Sequence, residues 1–387
     1  MRVLQIHLPV AREPAHIRAA LAPLQAIEPQ LLLVFFAAER LADGAFTALL
    51  AEVFPGALRI GCSTAGEIVG EEVCEGSIVV TAVHFDAATV REVTTELACM
   101  ADSGAAGERL AAQLPGEGLR AVLVFAQGVA INGSALVAGM SRQLPPGVAV
   151  SGGLAGDGGA FSRTWVLSSQ GVAEHRVVAV GLYGQALRVG HGSFGGWEPF
   201  GPARKVTRCE NNVLYELDGE PALDIYKRYL GEYARDLPAS GLLFPFSMAD
   251  KDRSSVGLIR TILGVDEASG SLILAGEIDP DGYLKLMHAN PNALVDGAQR
   301  AAQMARAMVP GEALAILVSC VGRKLVLGGR VDEEVEAVAD VFGRNCTLTG
   351  FYSYGEISPF NAAPGAVGPD SCRLHNQTMT ITLLTEV

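Results

Sequence analysis

One unit recurs along this chain, and that recurrence constrains the fold more than any single motif does. The unit is a β-rich apolar run, then a helix-like stretch, then a glycine-led turn that carries an acid. The turns read Gly61-Cys62-Ser63-Thr64-Ala65-Gly66-Glu67-Ile68, Gly152-Gly153-Leu154-Ala155-Gly156-Asp157 and Gly350-Phe351-Tyr352-Ser353-Tyr354-Gly355-Glu356-Ile357. The runs before them occupy residues 31–36, 121–125 and 314–319. A weaker echo, Ala275-Gly276-Glu277-Ile278, has no clear helix before it. The copies lie roughly 90 and 200 residues apart, beyond the spacing of solenoids and propellers, so duplicated subdomains are expected and not a repeat array. Glycine admits positive φ and close approach to the backbone. The acid after it either fixes the turn by accepting N–H bonds or faces a ligand amine.

The apolar runs are hydrophobic on both faces, as central buried strands are. Residues 41–53 put Phe46, Leu49, Leu50 and Val53 on one helical stripe. Residues 291–308 predict the longest helix, and 332–342 a helix with three acids at its positive end. Local hairpins mixed with intervening helices predict mixed sheets covered by helices, an α/β or α+β fold. A helix–sheet–sheet–helix layering is the expected arrangement. Residues 191–202 are too rich in Gly and Pro for regular structure, and a domain boundary is expected at their far end, dividing the chain into 1–205 and 206–387.

Length and composition limit the function. The 387 residues suggest two or three domains, and 49% hydrophobic against 18% charged content indicates a large core. The net charge is −13 and no basic cluster exceeds Arg204-Lys205, which argues against nucleic acid and anionic membrane as partners. Seven scattered cysteines with no C-x-x-C point to reduced thiols and a cytoplasmic location. The first residues make no signal peptide, and no apolar run approaches 18 residues, so no membrane span is expected.

Three near-matches to enzyme motifs fail. After Gly66 a P-loop needs Lys, and Glu67 stands there. A nucleophile elbow needs Gly where Ala65 stands. Gly190-His191-Gly192-Ser193-Phe194-Gly195 fits G-x-G-x-x-G, yet Pro199 and Pro202 exclude a following helix. Cys62 and Cys320 each follow a strand and are the candidate nucleophiles of a cysteine-dependent enzyme; a buried small thiol is the commoner state.

The ordered set of the three turns, Val318-Ser319-Cys320-Val321-Gly322-Arg323, and Leu374-His375-Asn376-Gln377-Thr378 resembles the FIST sensory family over nearly the whole chain. The resemblance implies an N-terminal and a C-terminal FIST domain forming a signal-input module for small ligands such as amino acids. Members without an output domain include haem-binding nitric-oxide sensors that act through a partner histidine kinase. This sequence leaves no room for a kinase, methyl-accepting or nucleotide-cyclase domain, so signalling through a separate protein is expected, and no enzymatic activity.

Two site chemistries follow. Haem b needs one strong axial ligand and an apolar slot. His288, where the family usually carries a basic residue, and His191, in the Gly-rich link, are the alternative axial ligands. A haem-free, amino-acid-like ligand would instead use Arg323 for its carboxylate and Glu67, Asp157 or Glu356 for its amine. Tyr352 and Tyr354 would supply aromatic walls, and Cys62, Ser63, Thr64, Gly153 and Cys320 line the same turns. Both expectations have the kinked loops meeting around one cavity.

Overall fold

The recurrence resolves into three copies of one supersecondary unit. The structure, a computed structural model, describes residues 1–9, 14–41, 44–250, 255–309, 311–360 and 372–387. Unit I comprises β1 (Arg2–Leu8), α1 (Pro14–Gln25), β2 (Leu31–Ala37), α2 (Ala45–Val53), β3 (Leu58–Thr64), the short pair β4 (Glu67–Val69) and β5 (Glu72–Cys74), and β6 (Ile78–His84). Unit II repeats this order: β7 (Thr89–Glu96), α3 (Ser103–Ala111), β8 (Leu119–Ala126), α4 (Gly133–Gln143), β9 (Ala149–Leu154), β10 (Val166–Ser168), β11 (Gly171–Ala173) and β12 (Arg176–Tyr183).

Unit III begins with β13 (Leu187–Phe194) and is then interrupted. The insertion contains β14 (Glu198–Pro199), β15 (Arg204–Glu210), β16 (Val213–Leu217), β17 (Glu220–Pro221), α5 (Ala222–Leu230), β18 (Phe246–Ala249), β19 (Ser255–Arg260), β20 (Ile262–Asp266), β21 (Ser271–Leu274) and β22 (Tyr283–His288). Unit III resumes with α6 (Pro291–Met308), β23 (Ala313–Cys320), α7 (Val321–Leu327), α8 (Val331–Phe342), β24 (Cys346–Ser353), β25 (Gly355–Pro359), β26 (Cys372–His375) and β27 (Met379–Glu386).

Each unit builds four strands of a six-stranded sheet, in the orders β1-β6-β2-β3, β7-β12-β8-β9 and β13-β27-β23-β24. The inner pairs β2·β3, β8·β9 and β23·β24 are parallel. The last two strands of every sheet come from another unit. β4 and β5 leave unit I to finish the sheet of unit III, β10 and β11 leave unit II for unit I, and β25 and β26 leave unit III for unit II. The exchange closes a cycle, and each donated pair covers a sheet edge that would otherwise be open to association.

Side chains alternate across each sheet with period two. Leu31, Leu33 and Phe35 of β2, Ala121, Leu123 and Phe125 of β8, and Leu314, Ile316 and Val318 of β23 all enter one shared core. The intervening residues face the helices: Leu32, Val34 and Phe36 in unit I, Val122, Val124 and Ala126 in unit II, Ala313, Ala315 and Leu317 in unit III. The mixed α/β class is as expected. The layering differs: three sheets share an inner core, each with helices on its outer face. Phe35, Phe125 and Phe351 meet there with ring centroids 4.8–5.9 Å apart. Units I and II place the aromatic on the first parallel strand opposite Cys62 and Gly153, whereas unit III places Val318 opposite Phe351. One large and one small residue per unit keep the filling constant.

The insertion forms its own nine-stranded sheet around Val206, Leu214, Leu223, Tyr226, Phe246 and Leu284. The echo at Ala275-Gly276-Glu277-Ile278 lies in the insertion, in the segment after β21, and is not a fourth unit. Residues 191–194, expected to be irregular, are the end of strand β13. The expected boundary at 205/206 falls within β15. Among the described residues no helix is long and apolar enough to cross a membrane.

Candidate functional site

The three turns do converge. Ala65 N donates to Tyr352 O and Tyr352 N to Gly66 O, both at 2.8 Å, while Gly156 N donates to Ser63 O at 2.9 Å and Tyr354 N to Leu154 O at 3.2 Å. Each unit is thereby tied to both others. The polar groups expected to face a ligand are instead spent on this knot. Glu67 accepts from Thr64 Oγ1 and from Ser77 through N (3.1 Å) and Oγ (2.6 Å). Glu356 repeats the pattern with Ser353 Oγ (3.0 Å) and with Thr378 N (3.1 Å) and Oγ1 (2.8 Å). Asp157 binds Tyr354 Oη and accepts from the N–H groups of Phe161, Ser162 and Arg163 at 2.8–2.9 Å. These acids fix turns by accepting backbone and hydroxyl donors.

The remaining candidates are committed too. Arg323 is fully buried and bonds Glu334 through Nε (3.0 Å) and Nη2 (2.7 Å), Leu294 O through Nη2 (2.8 Å), and Gly195 O through Nη1. Tyr352 Oη donates to Glu334 at 2.5 Å. Ser63 Oγ accepts from Trp165 N at 2.8 Å. Gly153 packs so tightly that an added Cβ would lie 2.8 Å from Val318 Cγ1. Cys62 and Cys320 are buried, and burial pushes both thiols up, away from the reactive thiolate. What is hollow beside the knot is a recess of about 150 Å³ touching Thr64, Glu67, Asp157 and Lys324. The ammonium of Lys324 already donates to Ala65 O (2.6 Å) and pairs with Glu75 (2.5 Å).

Burial also acts on Glu356, whose carboxyl is raised to about 8 against the hydrogen bonds of Thr378 and Ser353. Glu67 is raised by burial in the same direction. Between the ordinary 4.5 and about 8 the folded chain holds a proton at Glu356 that the unfolded chain has released. Stability therefore falls as pH rises through that window and levels off above it. Glu356→Gln, which stays neutral, is expected to flatten this slope in urea-midpoint measurements across the same interval. An unchanged slope would refute the assignment.

A larger hollow lies elsewhere. At the end of β22, His288 opens onto a cleft of about 650 Å³ walled by Phe200, Tyr233, Leu243, Phe244, Leu325 and Val326. This volume is within the roughly 300–1,000 Å³ of small-ligand sites. Phe200, Tyr233 and Leu325 are 43, 54 and 53% exposed, an apolar cluster open to solvent. His288 Nδ1 is 3.4 Å from Ala289 O, Nε2 is 3.7 Å from Glu198 Oε2, and the ring meets Phe200 edge-on at 6.1 Å. His191 lies in mid-strand on β13, opposite Thr382, and does not line this cleft.

Comparison with known proteins bears on the whole chain. The FIST N domain model matches residues 30–220 and the FIST C domain model residues 222–359. An uncharacterised protein of Methanocaldococcus jannaschii is 31% identical over 132 residues, which is 33% of this chain and 24% of that protein; the chain thus spans about a quarter of this relative. The crystal structure of a cyanuric acid hydrolase from A. caulinodans aligns over 99% of this chain and 98% of its own at 10% identity and a TM-score of 0.36, too low to carry an argument. Together the two domain models run from residue 30 to residue 359, and the chain belongs to the FIST family of sensory proteins.

Proposed function

We propose that this protein is a cytosolic small-ligand sensor that holds haem b in the His288 cleft, responds to nitric oxide, and acts on a separate histidine kinase. The observation that carries the reading is a single imidazole at the mouth of a large apolar hollow. One imidazole and a cleft walled by aromatic and aliphatic side chains support this reading, since haem needs one axial nitrogen and an apolar slot. His288 would ligate through Nε2, since Nδ1 lies nearer a backbone carbonyl, the usual orienting partner of a ligating histidine. Phe200, Phe244, Leu243 and Leu325 would cover the macrocycle. Haem iron would supply the coordination position at which a diatomic gas binds.

The amino-acid-like alternative asked Arg323, Glu67, Asp157 and Glu356 to receive a ligand, and each already serves other groups. A cysteine enzyme is disfavoured because its thiols are buried and pushed up. The reading as a sensor and not an enzyme rests on these points and on the family.

The test is spectroscopic. Haem added to purified protein is expected to give a Soret band that shifts or disappears in His288→Ala and stays in place in His191→Ala. A protein that develops no Soret band refutes the haem reading, and a band unmoved by His288→Ala refutes the ligand.

A further inference from the structure

A second cavity, of about 340 Å³, lies between unit III and the insertion. Unit III contributes Phe194, Trp197, Met304 and His375 to its lining, and the insertion contributes Ile259 and Met287. No charged side chain lines it among the described residues. The Trp197 indole N–H is taken by Gln377 O at 2.8 Å, so the ring contributes its apolar body to the wall. The two methionines are unbranched and polarisable, and they adapt to an aromatic guest.

The polar handle is His375. It is 2% exposed, and Nε2 lies 3.2 Å from Ser358 O. A carbonyl only accepts, so Nε2 carries the proton of that bond, and Nδ1 is left as an acceptor. Burial holds the imidazole near 4, neutral at physiological pH. A neutral acceptor in an uncharged, aromatic-walled hollow suits a guest with one hydroxyl or N–H donor. It disfavours an ammonium, which would shed water and meet only the positive charges of Arg260 and Arg373 that already act on His375.

We propose that this cavity is a second ligand site, for a small neutral ring compound with a single hydrogen-bond donor, a phenol or a similar molecule. The site lies back to back with the His288 cleft. Met287 and His288 are successive residues of β22 and project to opposite faces, Met287 into this cavity and His288 into the cleft. From the facing segment Trp197 enters this cavity, while Glu198, the register partner of His288, approaches its Nε2 at 3.7 Å. A guest on one side of this wall sets the position of the groups on the other, and the coupling acts equally in both directions. The binding itself stands whether or not the cleft holds haem.

The experiment titrates haem-free, full-length protein with 4-fluorophenol and follows its fluorine NMR signal. Met304→Trp and Ile259→Trp fill the cavity from opposite walls, and urea unfolding checks that each is folded. Leu325→Trp fills the cleft instead. Wild type and Leu325→Trp are expected to bind saturably. Whichever filling variants fold should bind at least about tenfold more weakly. Absence of saturable binding to the wild type, binding that survives the filling variants, or binding lost in Leu325→Trp alone would each overturn the proposal.

Discussion

Gly350→Ala should leave no folded protein, and Gly61→Ala and Gly152→Ala should do the same. The three glycines occupy the same place in the three units. Gly61 is the register partner of Val34, Gly152 of Val124 and Gly350 of Leu317 on the parallel neighbour strand. A Cβ at each would be driven into the carbonyl oxygen of that partner. The obstacle is backbone, so no rotamer change relieves it, and the strand must move. Each of these strands leads into a pair donated to another sheet, so a shift at one glycine disturbs two units at once. A loss above about 4–5 kcal/mol is expected, in the range reserved for a named steric or burial failure. Gly56, where an added Cβ meets nothing within 4 Å, is the control. Gly56→Ala should change stability by about 0.5 kcal/mol or less. Soluble yield, far-ultraviolet circular dichroism and the urea midpoint report the difference, and a Gly350→Ala protein with the wild-type midpoint would refute it.

The same strands show what the sequence made legible. Residues 31–36, 121–125 and 314–319 announce themselves because each strand feeds the common core with one face and the helices with the other. The glycine-led turns were readable because the close strand approach admits no side chain. The exchange of strand pairs was not readable: β4 and β10 are three residues long, and nothing local names a partner hundreds of positions away. The last four residues of β13 were hidden by Gly190 and Gly192, which lower strand propensity. Those glycines are required because a Cβ there would strike the carbonyls of Ala305 and Ala301 on α6. For the turn acids, the residue type was visible but its direction was not. Ser77 and Thr378, which turn Glu67 and Glu356 inward, lie 10 and 22 residues further on. At the start of α8 all three acids read as partners of the helix dipole, and Glu334 is in fact buried against Arg323.

Glu334→Ala should be the costliest side-chain truncation in unit III. The carboxylate gathers Ser319 Oγ (2.9 Å) from β23, Arg323 from α7 and Tyr352 Oη (2.5 Å) from β24, and itself belongs to α8. Through Arg323 the network extends to Leu294 O on α6 and to Gly195 O after β13. Both members of the ion pair have fully buried side chains. A buried pair gains little over apolar packing, but removing one partner strands the other charge, at a cost of about 3–5 kcal/mol. The two truncations are not equivalent. Arg323→Met leaves a carboxylate that can take up a proton and keep its bonds to Ser319 and Tyr352. Glu334→Ala leaves a guanidinium that cannot lose its charge and retains two carbonyls for company. Glu334→Ala should therefore destabilise more than Arg323→Met. Urea unfolding of both variants at neutral pH decides the matter. Equal losses, or a loss under about 1 kcal/mol for Glu334→Ala, would mean that this network is not what holds the five elements of unit III in register.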